Sequence, residues 1–193
     1  MATHESPDRA DPRIPAPAVA IVDLLNSRPH ATPALPDTLD DPRQAGVLLG
    51  PFDPAAQDAL TAARLDRVRA VRDHLVAVLA ADTPTQTAQA WTMLAEYASD
   101  LTFRQTFTAV GQPQLRQVAG DPLVGRIVLT VADLVAANTW SRLRICGNEM
   151  CSHIFYDTTR SRSQRWHSYE MCGNRTNVAA YRARARRARD SDE

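Results

Sequence analysis

All three cysteines of this 193-residue chain lie within 27 residues of one another, at Cys146, Cys151 and Cys172. Structural zinc takes four thiolate or imidazole ligands in a tetrahedron, so three cysteines leave one vertex to fill. Two histidines are at hand, His153 and His167. Taking His167 gives Cys-x4-Cys, then fifteen residues, then His-x4-Cys: two short ligand pairs separated by enough chain for a hairpin. Taking His153 crowds three ligands into eight residues and strands Cys172. His167 is therefore the preferred fourth ligand. Cysteines that merely fill a core as small hydrophobes do not gather around a histidine in this way. The pattern predicts one structural Zn2+ per chain, held by Cys146, Cys151, His167 and Cys172.

Charge is distributed unevenly around this stretch. The formal net charge is zero, but residues 1–140 hold 11 Arg against 16 Asp and Glu, a balance of −5. Residues 141–193 hold 11 Arg against 6, a balance of +5. An acidic body with a basic tail predicts a polyanionic partner for the tail. Every formal cation is arginine, a bias that a GC-rich genome also produces. No signal peptide precedes the first apolar segment and no 18-residue apolar run occurs, so a cytoplasmic chain without a membrane span is expected. Reduced cysteines arranged for metal fit that compartment.

Read in order, residues 1–17 are rich in Pro, Asp, Ala and Arg and are expected to be a disordered tail. Residues 19–26 form a short helix, and Pro29, Pro33 and Pro36 hold an extended loop. Asp41-Pro42 starts a helix over 42–49, which Gly50-Pro51 stops. Asp53-Pro54 repeats the start signal and opens a long helix to about residue 81. Leu60, Val68, Val71, Leu75 and Val78 form its apolar stripe, and Arg64, Arg67 and Arg72 decorate solvated faces. A helix over 85–98 turns Trp91, Leu94 and Ala98 inward. Residues 101–107 and 114–118 pair as a hairpin with Phe103 and Phe107 on one side. Asp121-Pro122 starts a last helix to about Trp140, with Leu123, Ile127, Val131, Leu134 and Val135 inward. The fold class is mainly α with a small β-hairpin, that is, α+β. A mostly helical domain over 18–140 leads into a zinc-stapled finger over 141–189 that ends in a basic helix, followed by an acidic tail over 190–193.

The string Cys172-Gly173-Asn174-Arg175, behind Trp166-x-Ser168 and Phe155-x-Asp157, resembles the CGNR zinc-finger family, with His167 standing where family members carry a cysteine. The N-terminal arrangement, with its Asp23-Leu24-Leu25-Asn26 segment, is similar to the ABATE domain that precedes such fingers. The resemblance implies a stress-induced transcriptional regulator.

Within the finger, Gly147 and Asn148 are expected to take the unusual backbone angles of a metal-binding turn. Ile154, Phe155 and Tyr156 supply strand and core, while Asp157 orders the arginines that follow it. On the terminal helix Arg175, Arg182, Arg186 and Arg189 share one side, and Val178, Tyr181, Ala185 and Ala188 pack along the next. Arg160, Arg162 and Arg165 extend the same positive surface. Fixed arginines on a metal-pinned scaffold point to phosphate contact. The chain reads as a zinc-dependent regulator whose finger contacts duplex DNA, its N-terminal domain being regulatory or forming a homo-oligomer. A zinc-stapled protein-interaction module and an RNA-binding protein are the alternatives. An enzyme is not expected, because four protein ligands close the metal and no nucleophile elbow, phosphate loop or HExxH motif occurs. Zinc removal is expected to unfold the finger and spare the N-terminal helices.

Overall fold

The computed structural model describes residues 11–55, 60–178, 181, 182 and 184. Among these residues the chain order is α1 (Ala16–Asn26), α2 (Pro42–Leu49), α3 (Ala62–Ala80), α4 (Pro84–Tyr97), β1 (Thr102–Phe107), β2 (Pro113–Ala119), α5 (Pro122–Ala136), β3 (Leu143–Ile145) and β4 (Ile154–Tyr156). The α+β expectation holds, with two small antiparallel hairpins rather than one: β1 pairs with β2, and β3 with β4. No described helix is long and apolar enough to cross a membrane.

Helix starts follow the capping chemistry. Asp41, Thr83 and Asp121 each accept backbone N–H bonds in the first turn of α2, α4 and α5, and each precedes a proline whose missing N–H costs nothing there. Asp53-Pro54 carries the same signal but does not start α3. The N–H groups of Phe52 and Asp53 turn back onto the Leu49 carbonyl, and Phe52 is buried by that turn. Asp53 then only caps Ala55, and α3 begins at Ala62 behind the Thr61 hydroxyl. Residues 11–17 do not belong to a disordered tail as expected, because Ile14 is buried and α1 opens at Ala16; residues 1–10 lie outside the described ones.

The core gathers around α1, whose Ile21, Val22, Leu24 and Leu25 are fully buried against Val68, Val71 and Leu75 of α3 and Leu123 and Ile127 of α5. Leu143, Ile154 and Tyr156 from β3 and β4 belong to this same core. One inward placement is corrected. Val135 is 48% exposed, since Leu134 takes the core position one residue, or about 100°, earlier on the helix. In the first hairpin Phe103 is partly covered, whereas Phe107, on the same side, is 68% exposed.

The arginines of α3 are not a solvated face. Arg64 pairs with Asp121 at 3.0 Å and Arg67 with Asp100 at 2.7 Å. Arg72 is 3% exposed and forks onto both carboxylate oxygens of Asp37, at 2.8 and 2.6 Å, with a third bond to the Ser27 hydroxyl at 2.9 Å. A buried guanidinium demands such a partner, and here the partner comes from the proline-rich loop that a helical stripe cannot reveal. The pair anchors the loop after α1 to α3, and the Ser27 carbonyl accepts the Thr38 N–H at 2.8 Å.

Burial alone would raise the pKa of Asp37, but the bonds from Arg72 and the Leu39 N–H, with Arg69 nearby, outweigh it and hold the carboxyl below its ordinary value. A depressed folded pKa contributes stability that is present above the unfolded value of about 3.9 and is lost as pH falls through the folded value. Asp37→Asn should therefore cost about 3–5 kcal/mol at pH 7, measured by urea unfolding. The same variant should lose less stability than the parent between pH 5 and pH 2, roughly the acid window of a native ion-paired carboxylate.

Candidate metal centre

The register of the second hairpin places the ligand turn. Leu143, Arg144 and Ile145 face Tyr156, Phe155 and Ile154, so Cys146 and His153 close its open end, with the Cys146 N–H donating to the His153 carbonyl at 2.8 Å. The turn between them is held by the Cys151 N–H on the Asn148 carbonyl at 2.8 Å and the Gly147 N–H on the Arg165 carbonyl at 2.8 Å. The left-handed residue of the turn is Ser152, at φ 52°, and not Gly147 or Asn148 as expected. Its carbonyl is gripped by Arg28, as described below.

The other two ligands flank the start of a π-helical turn, Tyr169–Gly173, which the Ser168 hydroxyl caps by accepting the Met171 N–H. His167 lies just ahead of this turn and Cys172 is buried within it. A Cβ on Gly173 would lie 2.7 Å from the Tyr169 ring and 3.1 Å from that of Trp166, so the position following Cys172 has no room for a side chain.

The four ligand atoms of Cys146, Cys151, His167 and Cys172 all lie within 4.8 Å of one another. His167 Nδ1 stands 3.5 Å from Cys151 Sγ and 3.7 Å from Cys172 Sγ. A tetrahedral zinc with ordinary Zn–S and Zn–N lengths requires N···S edges of about 3.6 Å. The donor set therefore fits one structural zinc. Burial pushes the Cys151 thiol up to about 12, with Cys146 and Cys172 adding to the shift, and burial likewise raises Cys146. Grouping these thiols out of water is unfavourable for thiolates until a cation supplies the compensating charge, so zinc uptake must expel thiol protons.

Three thiolates and one imidazole on two short turns, with no ligand vertex left over, define a zinc-finger site. Residues 142–185 match the family model of the CGNR zinc finger. A search of the curated proteins finds no match to the chain.

His153, the rejected ligand, stands behind the site. Its Nδ1 is 3.4 Å from His30 Nε2, its Nε2 is 3.3 Å from the Asn26 amide, and its ring lies 4.6 Å from that of His167. Asn26, at the end of α1, pairs with the backbone of β4: its Oδ1 accepts the Ile154 N–H at 2.8 Å and its Nδ2 donates to the Ile154 carbonyl at 2.7 Å. Arg28 donates to the Ser152 carbonyl at 2.6 Å and to the Leu25 carbonyl at 2.5 Å. Asn26, Arg28 and His30 thus clasp the metal turn from a segment more than 120 residues away in sequence. Sequence reasoning missed all three as site residues. The one signal available was Asn26 itself, an amide ending an apolar helix where a capping glycine would be more usual.

The arginines sort into two kinds. Asp157 is fully buried and accepts from the Thr159 N–H and hydroxyl and the Gln164 N–H, which closes the 157–164 loop. Burial works to raise its pKa, but these bonds and Arg144 hold the carboxyl below its ordinary value. Arg142 donates to the carbonyls of Asp157 and Thr159, and Arg144 to that of Arg162. Arg162 has a left-handed backbone and donates to the Ser141 hydroxyl at 2.8 Å, which makes it partly a brace for the loop. Arg160, Arg165, Arg175 and Arg182 are exposed, and none of them forms an ion pair among the described residues. Arg165 rests over the Trp166 ring at 5.1 Å. Residues 174–178, 181, 182 and 184 are α-helical. Val178 and Tyr181, expected to pack, are 47% and 68% exposed. Arg186, Arg189, Ala185 and Ala188 lie outside the described residues.

The clasp and the shared core change the expected response to metal removal. Chelation should lower the thermal midpoint of the far-ultraviolet helical signal, which α1–α5 dominate, as well as unfold residues 146–173. His167→Ala should abolish one-to-one zinc retention at micromolar protein, and His167→Cys should keep it. Asn26→Ala and His153→Ala should weaken zinc about tenfold, read by competition with a chromophoric chelator.

Proposed function

We propose that the chain is a zinc-dependent regulator that binds duplex DNA through its C-terminal finger, the N-terminal helical part being an ABATE-like regulatory domain. The observation that carries this reading is the sorting of the finger's arginines. Those needed to build the loop are satisfied by carbonyls, whereas Arg160, Arg165, Arg175 and Arg182 are exposed and lack a carboxylate partner among the described residues. Arg175 and Arg182 line one shallow cleft together with Asn174 and Val178, so they share a side of a helix rooted at the zinc turn. A single helix standing on a small metal-pinned base has the shape of a major-groove reader, and guanidinium forks suit phosphate oxygens. Four protein ligands leave the zinc no position for substrate, which favours a structural over a catalytic metal.

A protein-interaction module is the second reading, favoured by the exposure of Val178 and Tyr181 beside those arginines. Salt dependence separates the two. Phosphate contacts release counterions, so each lost contact lowers the slope of log affinity against log salt by about 0.9. Arg175→Gln with Arg182→Gln should flatten the slope for duplex DNA by about two units, measured by fluorescence anisotropy. Arg13→Gln, far from the finger in sequence, breaks only a local pair with Asp11 and should leave the slope unchanged. Zinc content must equal that of the parent in each variant. Unchanged slope and affinity in the double variant would move the interaction module ahead.

A further inference from the structure

Away from the finger, β1 and β2 form a two-stranded sheet whose outer edges have no partner strand among the described residues. A two-stranded ribbon is marginal by itself, and an open edge presents backbone N–H and C=O groups to any strand of matching register. A groove of about 460 Å3 runs along β2, with α5 as its far wall. Residues 114 to 120 all line it in succession. Side chains of a strand alternate between faces, so a groove that meets every residue in turn follows the strand's edge.

One glutamine joins the ribbon to the start of α5. Gln117 donates to the carbonyls of Ala119 and Asp121 at 3.0 Å each, and a Cβ on Gly125 would lie 2.0 Å from its Oε1. Gln117 therefore faces α5, and with it Leu115, two residues away. Arg116 points to the opposite face, where its register partner across the ribbon is Arg104. Like charges directly opposite one another are unfavourable in a hairpin. Neither arginine has an ion-pair partner among the described residues, and both are exposed. Arg126 adds a third exposed cation on the α5 wall, and no Asp or Glu lines the groove.

We propose that the free edge of β2 is a docking site for an extended, acidic segment of a partner protein, which adds a third strand beside β2. Period two sets its chemistry. Carboxylates at alternate positions would stand beside Arg116, with Arg104 one strand further on, and apolar residues between them would face Leu115 and the α5 residue Leu129. Three uncompensated arginines on each chain oppose the pairing of two copies edge to edge, so the partner is a different, acidic chain. This reading does not depend on DNA binding by the finger.

The test uses the full zinc-loaded chain and a fluorescein-labelled heptapeptide of alternating valine and glutamate. Anisotropy should show saturable binding that weakens as salt rises. The valine–lysine counterpart should bind at least about tenfold more weakly. N-methylation of alternate backbone nitrogens in the glutamate peptide should abolish binding, because strand pairing needs those N–H groups. Arg116→Gln with Arg126→Gln should weaken it about tenfold while leaving zinc content and the helical signal unchanged. No binding, equal binding of the lysine peptide, or indifference to N-methylation would overturn the proposal. So would a loss of duplex DNA affinity, instead of peptide affinity, in the double variant, which would make the ribbon a phosphate contact. A stable dimer by sedimentation that fails to bind the peptide would show the edge taken by a second copy.

Discussion

The carboxamide of Asn26 ties the hairpin that carries the metal turn to the helical core. A three-residue strand such as β4 has backbone groups on two edges, and β3 satisfies only one of them. Asn26 offers an acceptor and a donor at the spacing of a peptide unit and completes the other edge at Ile154. An unpaired buried backbone group costs about 1–3 kcal/mol, so the strand depends on this substitute for a third neighbour. Because Asn26 ends α1, the helix at the centre of the core, the strand that follows the metal turn is fixed to that core.

Zinc and core act together here. Two short turns cannot bury enough apolar surface to hold themselves, and their thiols disfavour charge until metal arrives. The hairpin that carries them solves half of this by giving Leu143, Ile154 and Tyr156 to the helical core, and zinc supplies the rest. His153 shows the division of labour between neighbours in sequence. It lies two residues after a ligand, yet its ring spans from His167 to His30 and braces the site from the helical side.

In a chain whose only formal cations are arginines, burial decides what each one does. Arg72 is sealed against Asp37 and Ser27, Arg28 and Arg142 bind carbonyls, and Arg144 braces the loop after Asp157. The planar fork makes these multidentate arrangements possible where an ammonium would leave geometry undefined. Of the exposed arginines, Arg160, Arg165, Arg175 and Arg182 lie on the finger, and Arg104, Arg116 and Arg126 on and beside the β1–β2 ribbon.

Local chemistry alone determined much of this. Side-chain caps followed by proline set the starts of α2, α4 and α5, since a cap acts within one turn of its own residue. The spacing of Cys146, Cys151, His167 and Cys172 was enough to name the ligand set, because zinc demands four donors and short intervals bring them in pairs. The start of α3 was misplaced because the Asp53 signal was overruled by the burial of Phe52, a tertiary contact. Arg72 read as surface because helical periodicity reports which residues are apolar and says nothing of a carboxylate arriving from another loop. The clasp of Asn26, Arg28 and His30 on the metal turn was beyond reach for the same reason. It joins groups more than 120 residues apart, and only the packing of α1 against β4 brings them within hydrogen-bonding distance.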